Sequence, residues 1–229
     1  MTIDSVIFDI EGTLVDSVKQ TLRCWRETLP EFGHDVPIDQ LQARSGMDGN
    51  MMLEQLLPEL SDAGRKKLIK AQGGHYQKVY LPHIQPFEGA RETLLSLKSR
   101  KLKFALATDC EGAPLAQYRR ILQIDNLLDA IACGEDAPKG KPNPELIGRA
   151  LQKLGASPDH AVMVGDTPSD AKAARKAGIP CIGLLTGGHP AEALRKAGCE
   201  TVLETIRDLP SGLHGAPGPF AKGSGVSQA

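Results

Sequence analysis

Apolar residues follow two rhythms along this chain. One is the short unbroken run that stops on a polar residue: Val6, Ile7 and Phe8 lead straight into Asp9. Such a run reads as a strand buried on both faces, as in a parallel sheet. It predicts a strand over 5–10, with further strands over 103–107, 130–133, 161–164, 181–184 and near 201–203. The other rhythm is helical. Leu146, Ile147, Ala150, Leu151 and Leu154 mark one face of a helix over 144–154,. Helices over 89–98, 113–122, 169–177 and 191–196 follow from similar patterns, and that over 169–177 carries Ala171, Ala173, Ala174 and Ala177 for close packing. Strands alternating with helices imply right-handed crossovers and an α/β fold with a parallel, Rossmann-like sheet.

Between the first strand and the rest, the rhythm is helical only. Helices are predicted over 18–29, 38–43, 50–57 and 61–80, punctuated by Pro30, Gly33, Pro37, Gly46, Gly49 and Pro58,. Ser61, with Asp62 behind it, reads as an N-cap. The expected organisation is a core from 1–15 and 86–210, with an all-helical cap inserted over 16–85. The last stretch, 211–229, is rich in Gly, Ser and Pro and reads as a mobile tail,.

Charge adds mainly exclusions. Lys and Arg number 27 against 28 Asp and Glu, and they are interspersed, so no nucleic-acid surface is expected,. Cysteines at 24, 110, 133, 181 and 199 form no Cys-x-x-Cys pair and predict free thiols in a reducing compartment,. The acidic start of the chain predicts no signal peptide, and no run approaches the roughly 20 apolar residues of a membrane span. A cytoplasmic protein, monomeric or weakly dimeric, is expected. The six histidines are scattered and read as structural or surface residues.

Chemistry collects at predicted strand ends and in one loop. The first strand delivers Asp9 and, two residues on, Glu11, which alternation would place on the same side. The strand over 103–107 delivers Thr108 and Asp109. A loop offers Lys141, held between Gly140 and the Pro142-Asn143-Pro144 run, with Asn143 and Pro144 read as N-cap and first helical position,. The strand over 161–164 delivers Asp166, with Asp170 one helical turn on. Two close carboxylates repel when ionised, and a divalent cation would compensate. Phosphoryl transfer to a carboxylate uses all of these groups. Asp9 would be the nucleophile. Mg²⁺ would sit on Asp9 and Asp166, with Asp170 a ligand directly or through water. Thr108 and Lys141 would bind phosphate oxygens, and Glu11 would carry protons.

With those residues in place, the chain resembles the haloacid dehalogenase superfamily of phosphohydrolases over about 5–203. Asp9-Ile10-Glu11-Gly12-Thr13 looks like its first motif, Thr108 its second, Lys141 its third, and Gly165-Asp166 through Asp170 its fourth. The resemblance is closest to the phosphoglycolate phosphatase-like branch with a helical cap after the first motif. It implies a small phosphorylated metabolite as substrate, Asp109 beside Thr108 at the phosphate, and a main-chain carbonyl of residue 11 on Mg²⁺. Position 11 departs from the usual phosphatase aspartate, although enolase-phosphatases are similar in carrying the Asp-Ile-Glu-Gly-Thr string.

Within the superfamily, Glu11 argues against a dehalogenase, which lacks a second acid. The absence of lysine between Lys19 and Lys66 argues against a phosphonatase. A phosphomutase shares the same core motifs, and a non-hydrolysing binding or regulatory module on this fold also stays open. The loop Arg44-Ser45-Gly46-Met47-Asp48 is expected to face the site, with Arg44 either binding an anionic substrate group or lying on the surface.

Overall fold

A computed structural model describes residues 2–213. In chain order its elements are β1 (Ser5–Phe8), β2 (Val15–Asp16), α1 (Val18–Glu31), α2 (Ile38–Gln42), α3 (Gly49–Leu56), α4 (Asp62–Val79), β3 (Gln85–Pro86), α5 (Ala90–Lys98) and β4 (Lys103–Ala107). They continue with α6 (Gly112–Leu122), β5 (Ala130–Ala132), α7 (Glu145–Leu154), β6 (Ala161–Gly165), α8 (Pro168–Lys176), β7 (Cys181–Leu184), α9 (Ala191–Ala197), β8 (Cys199–Leu203) and α10 (Leu209–Gly212). Among the described residues no helix is long and apolar enough to cross a membrane.

Six strands form one parallel sheet in the order β5-β4-β1-β6-β7-β8. This is the α/β, Rossmann-like fold that the alternation predicts. After β1 the chain builds to one side through β4 and β5, then returns to the other side through β6. The strand order therefore reverses at β1, and ligands of open α/β sheets bind in the crevice at such a point. Register completes the placement: Phe8 pairs with Leu106 of β4 and Val164 of β6. The chains that leave these three strands emerge side by side.

Alternation within the strands divides the core. Val6, Phe8, Phe104, Leu106, Val162 and Val164 face one side, and Ile7, Ala105, Ala107 and Met163 the other. On the first face, Phe8 and Phe104 meet edge to face with centroids 5.5 Å apart, a favoured aromatic geometry. On the second, Ala171, Ala173 and Ala174 let α8 approach the sheet closely. A third cluster, including Leu22, Trp25, Leu41, Leu53 and Leu68, fills the space between α1 and α4.

The structure refines several boundaries. The segment predicted as purely helical begins and ends in a two-stranded antiparallel ribbon, β2 with β3, where Val15 pairs with Pro86. Two residues per strand are too few for periodicity to register. Ser61 does cap α4, accepting from the Gly64 N–H at 3.2 Å. Asn143 does not cap α7: its amide donates to the Gly140 carbonyl at 3.0 Å, and the helix starts at Glu145. Residues 211 and 212 belong to α10, and Leu213 packs against the core. The remainder of the predicted tail, 214–229, lies outside the described residues.

Candidate active site

Asp9 follows β1 directly, and its N–H donates to the Val164 carbonyl at 3.0 Å. The strand has ended by then, two residues earlier than predicted. Glu11 therefore owes its position to a tight loop rather than to the pleat. In that loop the N–H groups of Leu14 and Val15 both donate to the Ile10 carbonyl, and Gly12 N–H donates to Val15. Gly12 has φ +81°, and a Cβ there would run into the Asp166 carboxylate. The loop thus requires glycine both for its backbone and for its closeness to β6.

Three of the predicted acids, Asp9, Asp166 and Asp170, come together. Each offers one carboxylate oxygen within 4.8 Å of the others, and all three are buried. Lys141 reaches into this group from its loop. Its Nζ donates to Asp9 Oδ1 and, at 2.7 Å, to Asp170 Oδ1. Asp170 is doubly fixed, because it also closes a capping box with Thr167 at the start of α8,. The Thr167 hydroxyl donates to Asp170 Oδ2 at 2.7 Å. Thr13 holds Asp166 Oδ1 at 2.8 Å. Asp166 Oδ2 is buried with no partner among the described residues. A buried carboxylate oxygen left unpaired is costly, and three acids around it suit a hard cation with oxygen ligands. The residues present therefore fit Mg²⁺.

The electrostatics agree. Burial raises the Asp9 carboxyl to about 7; Lys141 opposes the rise and Asp170 adds to it. Burial, then Asp170 and Asp9, push Asp166 well above the carboxylate range. Burial would lower the Lys141 ammonium, but Asp170, Asp9 and Asp109 outweigh it and hold the group above its usual range. Without a cation the site is short of positive charge.

Thr108 is buried at the end of β4, and its hydroxyl accepts from the Cys110 N–H at 3.2 Å. The Asp109 carboxylate, expected at the phosphate, is bonded within the protein. Both of its oxygens accept from the Lys141 backbone N–H, at 3.1 and 3.3 Å. It therefore clamps the loop that carries the lysine. Burial raises its carboxyl to about 6, with Lys141 opposing. Glu11 is held from an unexpected quarter. Tyr118 of α6 donates to its Oε1 at 2.8 Å, and Tyr76 of α4 meets the Tyr118 hydroxyl at 2.6 Å. Burial raises the Glu11 carboxyl, and the Tyr118 hydrogen bond opposes that rise. Neither tyrosine was readable as a site residue, because each also sits at an ordinary core position of its helix.

Asp9, Glu11, Thr108, Asp109, Lys141 and Asp166 line one side of a cavity of about 130 Å³. The helical segment forms the other side. Val18, Leu22 and Trp25 of α1 face it at helical spacing, with Leu41, Met47 and Met52 beside them. The loop over 42–48 lies against the sheet side. Gln42 donates to the Gly187 carbonyl at 2.9 Å, Ser45 meets His189 at 2.9 Å, and the Asp48 N–H reaches the Lys141 carbonyl at 3.3 Å. Gly46 has φ +71°, and a Cβ there would strike Thr167. Arg44 also lines the cavity, yet its guanidinium is bonded to the Gln40 carbonyl and the Gln55 side chain within the helical segment.

Comparison with known proteins gives the family. A family model described as "Haloacid dehalogenase-like hydrolase" matches residues 6–184. The chain is 29% identical over 183 residues to a phosphoglycolate phosphatase of Aquifex aeolicus, covering 80% of this chain and 84% of that protein. It is 26% identical over 214 residues to a phosphorylated carbohydrates phosphatase of Thermotoga maritima, covering 90% and 99%. Among solved structures, a hydrolase from Pseudomonas syringae superposes with a TM-score of 0.87 at 32% identity, covering 94% of this chain and 99% of that one.

Proposed function

The chain belongs to the haloacid dehalogenase-like hydrolases, and on that premise we propose that it is a Mg²⁺-dependent phosphatase of a small phosphate monoester. The observation that supports this most is the meeting of Asp9, Lys141, Asp166 and Asp170, the first three of which line the cavity. A nucleophilic carboxylate, a fixed ammonium and an unpaired acid oxygen are the three things phosphoryl transfer to a carboxylate needs. The phosphatases named among its relatives act in the same sense.

In this reading an Asp9 oxygen attacks phosphorus. The bond from phosphorus to the ester oxygen breaks, and Glu11 gives that oxygen its proton. Water then attacks the phosphorus of the aspartyl-phosphate, Glu11 takes the water's proton, and inorganic phosphate leaves with Asp9 restored. Lys141 and the Thr108 hydroxyl bind the phosphoryl oxygens. Asp109 acts indirectly, by fixing the Lys141 backbone. Asp9, Asp166 and Asp170 would hold Mg²⁺, with the residue 11 carbonyl as the resemblance implies. The ion would neutralise the phosphoryl oxygens and favour ionised Asp9. Segment 16–85 acts as a cap that excludes water from the cavity, hinged on the β2–β3 ribbon.

The test is release of inorganic phosphate from p-nitrophenyl phosphate and a panel of phosphorylated metabolites, with and without Mg²⁺. Turnover that needs Mg²⁺ and disappears in Asp9→Asn is expected. Full turnover in Asp9→Asn would remove Asp9 as nucleophile. Conversion of a sugar phosphate to its isomer without phosphate release would instead indicate a phosphomutase.

A further inference from the structure

We propose that Tyr118 is a positioning residue for Glu11, and that Tyr76 makes this support depend on the helical segment lying closed over the strand ends. The proposal rests on the hydrolase reading above, because it assigns Glu11 the proton-carrying role.

The hydrogen bonds have a fixed direction. Tyr118 has one hydroxyl proton and gives it to Glu11 Oε1 at 2.8 Å. The contact between the two phenols, at 2.6 Å, must then use the Tyr76 proton,. The chain runs from Tyr76 through Tyr118 to Glu11. Burial pushes both phenols above their ordinary range, so both stay neutral and able to donate. Both rings are buried, and a buried hydroxyl keeps its partner because losing it costs desolvation with no return,. Glu11 Oε2 has no partner among the described residues, which leaves it as the oxygen that exchanges protons at the cavity.

Three separate parts of the fold meet in this chain. Glu11 belongs to the loop after β1, Tyr118 to α6 of the core, and Tyr76 to α4 of the helical segment. Movement of α4 away from the strand ends breaks the Tyr76 link and leaves the Tyr118 hydroxyl with only one of its two partners. Support of the acid is then complete only when the cavity is closed, which favours proton transfer in the water-excluded state. The length of the side chain matters too. An aspartate at 11 would fall short of Tyr118 by roughly 1.5 Å, the length of one carbon–carbon bond.

The test uses the full chain with Mg²⁺ and p-nitrophenyl phosphate. Tyr118→Phe keeps the ring and removes the donor; it is expected to lower kcat about tenfold, the worth of a hydrogen bond to a charged group, with KM within about twofold of the parent. Tyr76→Phe is expected to lower kcat roughly threefold by weakening the same bond through polarisation. In a Glu11→Gln background, which cannot carry protons, each change is expected to cost nothing further. Equal kcat in Tyr118→Phe and parent would overturn the proposal, as would a tenfold loss that persists with Glu11→Gln. Tyr76→Phe applies the same comparison if Tyr118→Phe lowers the thermal midpoint enough to unfold. A parent without Mg²⁺-dependent turnover would sink the hydrolase reading and this proposal with it. An active parent, an inactive Asp9→Asn and additive tyrosine effects would sink the positioning alone.

Discussion

The two walls of the cavity are built from opposite materials. The sheet wall is dense with charge, with Asp9, Lys141 and Asp166 at the cavity and Asp170 bonded to Lys141. The helical wall is mostly apolar, with Leu22, Trp25, Leu41 and Met52 drawn from the segment's own buried cluster. The difference teaches how labour is divided. Charge that must be exact to an ångström hangs on strand ends locked in register by the sheet. Shape is left to a separate layer that meets the sheet side through hydrogen bonds from the 42–48 loop and through Tyr76 of α4.

That contrast predicts which substitutions act on turnover and which on fit. The largest effect is expected from Asp9→Asn, a loss of at least about 10⁴-fold in kcat, because the amide cannot form the covalent intermediate. Lys141→Ala is expected to cost roughly 10²- to 10³-fold in kcat, as for other single groups that stabilise developing charge. Parent-like turnover in either variant, measured as phosphate release, would break the assignment of chemistry to the sheet wall.

On the helical side, Gly46→Ala adds a Cβ where φ is +71° and Thr167 is in the way. It is expected to push the loop off the sheet wall and raise KM about tenfold, with a smaller change in kcat. A kcat loss with KM unchanged would mean that the loop serves the chemistry itself.

Acidity sharpens the comparison through stability. Burial holds Asp9 at about 7 and Asp109 at about 6, against 3.8 for an ordinary aspartate. The folded chain therefore holds more protons than the unfolded one between those values, and stability falls as pH rises through the window. Metal-free protein is expected to melt on the order of 5 °C lower at pH 8 than at pH 5, a few kcal/mol for a chain of this size. Added Mg²⁺ should narrow the gap, because it binds the ionised acids of the native state. A melting temperature that rises from pH 5 to pH 8 without metal would contradict the burial of uncompensated acids.

The smallest effect is expected from Arg44→Ala. Its guanidinium is already bonded to Gln40 and Gln55, so kcat/KM for an aryl phosphate should change by less than about threefold, in line with a side chain whose charge is engaged within the helical segment. A selective loss on substrates that carry a carboxylate would show Arg44 turning into the cavity to bind it.

Much of this is legible in the sequence. The run Val6-Ile7-Phe8 ahead of Asp9, and similar runs ahead of Thr108 and Asp166, give both the strands and the polar residues at their ends, because a strand buried on both faces has no other way to be written. The order of motifs along the chain then gives the family. Periodicity could not give Tyr118 or Tyr76. A tyrosine on a buried helix face satisfies the same apolar pattern whether or not its hydroxyl finds Glu11 from 107 positions away. Nor could it give the aim of Asp109, since its partner is a backbone N–H, and every residue other than proline has one.

The sequence by itself determined the element types of the core, its parallel sheet and the candidate acids and lysine, since these depend on local pattern and on residue identity. Only the tertiary structure decided which oxygens meet. Strand order placed Asp9 beside Asp166, loop closure at Gly12 brought Glu11 to the same cavity, and the placement of α6 supplied its partner Tyr118. Those choices are contacts between distant segments, fixed by where whole elements can pack rather than by any one stretch of chain.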